Sequence, residues 1–411
     1  MRRGRVSLRT RRRSPSRRAG GAAAPRADPD RARDPRARRR RRADRLLGSR
    51  VGSGARVRAT RRDARSFSLL RRASSRFSER VNRTIQIVVS VLITVGALWY
   101  SLSGVQLGSF LEDLGQARLV WLVPMAACAV LALWLRAVRW KLLLGTLGPL
   151  GDTPVFHATN IGFLGNMVLP LRAGEVIKPV VVGRAGRIST PAAFATVGLE
   201  RFCDLVMLGA FAVLTVFLVP QADFARAWAN SIVVFLGVAL LAVVVIIRSA
   251  GWLEARLDAI ADRLPAFAAR IVREIGRGVL HGLRGLSDFR VLLPVIVYSA
   301  LVWLVAVAGF VAGALALEID APLVPLGFAV TVAVAVAVSL PSAPGFIGVF
   351  WAGSKAALAL FGVPDTMGFT YGVLNWIVQL VVIVALGLWS MSRLHLSFGD
   401  VRNAASTSEA A

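Results

Sequence analysis

Residues 160–204 read NIGFLGNMVLPLRAGEVIKPVVVGRAGRISTPAAFATVGLERFCD, apolar enough for a bilayer interior yet carrying Arg172, Glu175, Lys178, Glu200, Arg201 and Asp204. A charge at membrane depth is costly unless it is paired or faces a polar cavity, so such residues mark binding sites or relays. On a helix Glu200 and Asp204 stand one turn apart on one face, with Arg201 rotated by ~100°. Two neighbouring carboxylates need a cation opposite, and Arg172, Lys178 and Arg136 are the nearest candidates in sequence. Arginine grips a phosphate through two parallel hydrogen bonds, and carboxylates can hold the arginines in place. The expected chemistry is binding of an anionic phosphate headgroup in a polar chamber, with Asn166 in the same set. The competing reading is a salt-bridge network that only pins two elements together, and Asn160 and Asn166 also suit the satisfaction of broken backbone.

Chain-breaking residues frame the charges. Pro170 and Gly174 interrupt the first segment, and Pro341, Pro344, Gly345 and Gly348, with Ser339 and Ser342, make a second kinked stretch where backbones can approach closely. Lys355 follows as the one charge of that distal segment, placed either to complete the chamber or to snorkel to an interface. His157 reads as a satisfied polar residue in preference to a proton relay.

The scaffold is all-α. Of 411 residues 55% are hydrophobic, and long apolar runs place the chain among polytopic helical membrane proteins. The net charge of +28 is unevenly spread: residues 1–83 hold +24 and the remaining 328 only +4. That tail is expected to be a disordered, Arg-rich cytoplasmic segment that attracts acidic lipid headgroups, or else an extension upstream of a true start near Val81. Confining the charge to the tail argues against nucleic acid as the partner. Cys128 and Cys203 lie in apolar runs without metal or redox spacing, and the three histidines form no cluster, so neither a metal nor another cofactor is expected. No GxxxxGK[ST] loop is present to bind ATP.

Six spans are read, at about 84–102, 119–138, 192–219, 231–247, 291–315 and 368–390, in a membrane domain of residues 84–393 followed by a short disordered tail, 394–411. The basic tail, the Arg136, Arg139 and Lys141 cluster and Arg393 put both termini inside, in a bacterial-type inner membrane. Arg172, Lys178, Arg184 and Arg187 would lie outside if residues 153–171 were a full span, so this segment reads as a re-entrant hairpin from the cytoplasm. Residues 322–361 read as a second hairpin entered from the other side, and residues 248–290 as amphipathic helix on the cytoplasmic surface, where a plain linker with a solvated face is the favoured role. Two spans, a hairpin and a span occur twice with opposite topology, which is the inverted repeat of a transporter-like fold with its site at the repeat interface.

NMVLPLRAGEVIKP, the following GRAGRISTPAAFATVGLERFCDL, and the distal LPSAPGFIGVFWAG with FGVP after it resemble the transmembrane region of lysylphosphatidylglycerol synthases, a flippase-like family. The resemblance implies lipid translocation, with Arg172, Gly174, Glu175, Glu200, Arg201 and Asp204 at the motif positions. Lys178 stands where arginine is common, and Phe346 and Trp351 replace a glycine and an acid of the distal motif. About twenty residues follow the last span, so the aminoacyl-transferase domain of the full synthases is not expected here. The implied substrate is an anionic phospholipid or a polyprenyl phosphate, with a partner enzyme or a second copy as further partners. Two other readings stand beside transport: a membrane glycosyltransferase using lipid-linked sugars, to which Glu112 and Asp113 in the first outer loop would contribute, and a non-catalytic accessory subunit.

Overall fold

The computed structural model describes residues 84–169, 172–184, 188–219, 248–397 and 399–400, with isolated positions between 234 and 246. The tail 1–83, Pro170, Arg187, nearly all of the span expected at 231–247 and residues 401–411 lie outside the described residues. Within them the chain is helical and without strands, and five helices are long and apolar enough to cross a membrane.

The first is α1, Thr84–Leu102. The loop expected after it contains a ten-residue helix, α2, Leu107–Gln116. A 3-10 turn then leads into α3, Leu122–Gly145, which is longer than the span read from sequence and carries Arg136, Arg139 and Lys141 within its length. Helices α4, Asp152–Val168, and α5, Gly174–Arg184, form the first hairpin, and α6, Thr190–Leu218, returns across the bundle. Residues 248–290 hold two helices, α7, Ala250–Ala261, and α8, Ala266–Gly285. The second half repeats the order with α9, Phe289–Ala316, the hairpin of α10, Leu323–Ser339, and α11, Val349–Ala359, and finally α12, Asp365–Arg393.

The two halves match in detail. Each hairpin joins a 17-residue helix to an 11-residue one, and each is followed by a 29-residue helix. Both 17-residue helices stop at a leucine preceding proline, Leu169 before Pro170 and Leu340 before Pro341, and both leucines are extended. The proline ring excludes the helical conformation from the residue before it, which accounts for both breaks. Beyond each break one non-glycine residue takes a left-handed backbone, Arg172 at φ 55° and Phe346 at φ 58°.

Helices α3 and α9 run antiparallel. The N–H of Arg118 donates to the carbonyl of Ala316 at 2.8 Å, Cys128 lies against Gly309, and Arg139 donates to Ser299 at 3.3 Å. Each hairpin packs on the long helix of the other half, α4 on α12 and α10 on α6. The His157–Ser390 hydrogen bond at 3.0 Å and the Phe211–Phe328 ring contact at 5.1 Å are examples. One apolar core holds Trp140, Ile161, Ile177 and Leu199 with Met391 from the end of α12; its counterpart holds Phe310, Leu326, Phe350 and Leu358 with Val219 from the end of α6.

Candidate site at the hairpin tips

The first hairpin closes on glycine. A Cβ on Gly174 would lie 1.8 Å from the carbonyl oxygen of Gly162 and 2.8 Å from the backbone nitrogen of Asn166. The obstacles are backbone, so only glycine lets α5 approach α4 this closely. That contact places Glu175 and Lys178, one turn apart on α5, in front of α6.

Glu200 is wholly buried on α6 and is held from two sides, by Lys178 Nζ at 2.6 Å and by Arg139 at 3.2 Å. Arg139 is itself wholly buried and donates to Asp204 at 2.7 Å, so one guanidinium spans the two carboxylates of that face. Lys178 also sits 4.1 Å above the ring of Trp140, whose indole N–H donates to Thr196 at 2.9 Å. Arg201 reaches Asp204 at 3.0 Å and Glu175 at 3.6 Å and is 42% exposed. Arg136 is 3.9 Å from Asp204 and faces the ring of Phe163. Pairing a buried charge on several sides offsets its desolvation, and removing one partner exposes the full cost.

Arg172 is different. No carboxylate lies within salt-bridge distance of it among the described residues, and its guanidinium lies 5.7 Å from the ring centre of Phe346. Thus the tips of the two hairpins touch, the cation of the first against the aromatic ring of the second. Trp376 supports the second tip, donating to the carbonyl of Gly345 at 2.7 Å.

A cavity of about 370 Å³ lies between the tips. One wall carries Arg136, Asn166, Arg172, Glu175, Lys178, Arg201 and Asp204, all from the first half. The opposite wall carries Trp303, Val334, Phe346, Phe350 and Trp376 from the second half, with Thr331, Ser339 and Gln379 among its polar members. Counting Arg139 and Glu200 behind the wall, five cations meet three carboxylates. The surplus charge is positive, and it falls on Arg172 at the tip and the loosely paired Arg136. The Oδ1 of Asn166 and the indole N–H of Trp303 are buried without a hydrogen-bond partner among the described residues.

Of the residues singled out in the sequence, Asn166, Arg172, Glu175, Lys178, Arg201 and Asp204 line the cavity, whereas Glu200 lies behind it as the anchor of the cation network. Gly174 closes the hairpin, Pro344 and Gly345 form the second tip, and Gly348 lies against Leu98 of α1. Lys355 joins neither the chamber nor an open interface: it is buried, donates to the carbonyls of Tyr100 and Ser103, and pairs with Asp365 at 3.3 Å. Sequence reasoning missed Arg139 by ending the span at residue 138. The apolar run continues through Leu142–Leu144, and Arg136 and Arg139 at i and i+3 share a face, which is the signal that would have found it.

The family model for the lysylphosphatidylglycerol synthase transmembrane region matches residues 87–387. The chain belongs to that family. A curated relative, glycosyltransferase AglD of Haloferax volcanii, is 28% identical over 363 residues, covering 77% of this chain and 56% of its own length. The chain therefore spans little more than half of that relative. No solved structure matches it. The matched residues include both hairpins and all of the cation network.

Proposed function

We propose that this membrane protein binds the phosphate headgroup of an anionic phospholipid or polyprenyl phosphate between its hairpin tips and carries it from one leaflet to the other. The observation that carries the reading is the division of the cavity into a cationic wall and an apolar, aromatic one, which suits an amphiphile with an anionic head. Arg172 grips the phosphate, with Arg201 and Arg136 beside it; Glu175 and Asp204 orient Arg201, and Lys178 with Glu200 holds the hairpin against α6. In this reading the protein sits in an inner membrane with both termini on the cytoplasmic side, and the first hairpin opens to that side.

The test is flipping of labelled phosphatidylglycerol and of a labelled polyprenyl phosphate in proteoliposomes. Wild-type flipping that collapses in Arg172→Ala and in Arg201→Ala, with both variants retaining monodisperse folding, supports the reading. Flipping of neither lipid above empty vesicles overturns it.

The name of the H. volcanii relative favours a second reading, in which the membrane body serves a glycosyltransferase. Its candidate acids are on α2, where Asp113 accepts from Thr370 at 3.4 Å and Glu112 is exposed; neither lines the cavity. Sugar transfer lost in Glu112→Gln/Asp113→Asn and retained in Arg172→Ala would select this reading.

A further inference from the structure

Helices α7 and α8 form a pair beside the charged end of the bundle. Along one side of α8, Gly278 lies against Ala192 and Ala195, Gly282 against Leu199, and Gly285 against Thr146. This face docks over the first turns of α6, immediately before Glu200, and fixes the pair at the level where the spans end. Its other side faces α7, and there the charges are consumed: Arg284 pairs with Glu254 at 2.7 Å, Arg277 with Asp258 at 3.1 Å, and Arg273 with Asp258 at 3.3 Å and with Asp262. Every acid of α7 and of the turn after it is thereby engaged.

What α7 turns outward is unlike the exposed face of a soluble helix. Trp252 is 60% exposed, Ile260 54% and Phe267, at the start of α8, 65%, with Leu264 beside them in sequence. The charges on this face are Arg256, which stacks on Trp252 at 5.1 Å, and Arg263. Neither has a carboxylate partner among the described residues. An aromatic and aliphatic face at the end of a membrane bundle, bearing only unspent cations, has the pattern of a helix that lies in the lipid interface.

We propose that α7 and the turn to α8 are an interfacial anchor that inserts Trp252, Ile260 and Phe267 among the lipids and binds anionic headgroups through Arg256 and Arg263. The inference is independent of what the cavity carries. The occupant is the bilayer surface of the protein's own leaflet: the complementary charge is negative, and the aromatic groups match the headgroup level. An arginine beside an anionic surface is worth roughly fivefold in partition, so the pair gives about a 25-fold preference for an acidic leaflet over a neutral one.

The experiment places an environment-sensitive dye on Phe267→Cys in the full chain, with Cys128→Ala and Cys203→Ala removing the native thiols, in vesicles of phosphatidylcholine with or without phosphatidylglycerol. Folding of the labelled protein is checked by size exclusion. The expected result is quenching by brominated lipid, shielding from aqueous iodide, and a deeper emission shift when phosphatidylglycerol is present, the last lost in Arg256→Gln/Arg263→Gln. Iodide quenching equal to that of free dye overturns the anchor. Emission identical in neutral and acidic vesicles overturns the anionic preference, and a dye shielded from both quenchers shows that protein covers the face and also overturns the proposal.

Discussion

Replacing Arg139 by glutamine tests whether the charged core acts as one network. The guanidinium is wholly buried and bridges Asp204 at 2.7 Å and Glu200 at 3.2 Å. Its loss leaves Asp204 with Arg201 at 3.0 Å and Arg136 at 3.9 Å, and Glu200 with Lys178 at 2.6 Å and Arg201 at 3.6 Å. Breaking a buried ion pair costs ~3–5 kcal/mol, and the surviving partners put Arg139→Gln near the lower end of that range. Glu200→Gln strands Lys178 and leaves Arg139 only Asp204, so its cost falls in the same range. The double variant removes one charge of each sign and preserves the excess of two cations. It should therefore be more stable than the sum of the singles predicts, by ~1–3 kcal/mol of coupling. The assay is thermal denaturation in detergent, followed as loss of the monodisperse peak, for wild type, both singles and the double. Arg118→Gln is the control, because its partnership with Glu318 is more than half exposed and should matter by less than ~1 kcal/mol. Additive losses in the cycle would refute the network, as would a single variant no worse than the control.

Three further outcomes follow from the geometry. Gly174→Ala must push the carbonyl of Gly162 aside by about an ångström; overpacking of this kind costs ~1–3 kcal/mol, read as a lower melting temperature, and an unchanged melting temperature would show that the hairpin is not closed at this point. Lys355→Met should destabilise several-fold more than Asp365→Asn in the same assay, since the lysine is 2% exposed with two carbonyls to serve while the aspartate is 53% exposed and keeps solvent; equal effects would count against the clamp. On α8 the hydrogen bond from Arg270 holds the Glu274 carboxyl below its ordinary range. Its contribution is present above that range and is lost as pH falls through the lowered value, so amide protection along α8, taken relative to the intrinsic exchange rate at each pH, should fall on acidification in wild type and change less in Glu274→Gln.

Much of this architecture is written in the order of residues. Leu169-Pro170 and Leu340-Pro341 announce the two breaks because a proline acts on its immediate neighbour, and the charges of residues 172–204 stand out because hydrocarbon makes them expensive. What could not be read was side-chain reach. Arg139 looked like the inner end of a span, since positive charges mark such ends, yet it turns inward by one helical face to meet Glu200 and Asp204. Lys355 read equally as a member of the chamber or as a side chain snorkelling to an interface, and only the fold shows that it faces the carbonyls of Tyr100 and Ser103 at the end of α1. The apolar wall was illegible for a different reason: Trp303 and Trp376 lie in long runs of hydrophobic residues, and nothing in such a run says which face is turned to a cavity.

Under the proposed transport reading, the unequal walls of the cavity would have a kinetic consequence. In a scaffold of two matching halves, a site built equally from both would look the same from either side of the membrane. Here every charged side chain that lines the cavity belongs to the first half, and the second offers a greasy, aromatic surface with a few polar atoms. A ligand entering from one side meets its binding charges early, and one entering from the other meets them late, so the two barriers on the route differ in height. With no source of energy such a lopsided profile leaves the final distribution between leaflets untouched. For the proposed exchange it would set how quickly each leaflet is sampled, and how strongly exchange would slow when one leaflet is crowded with anionic headgroups.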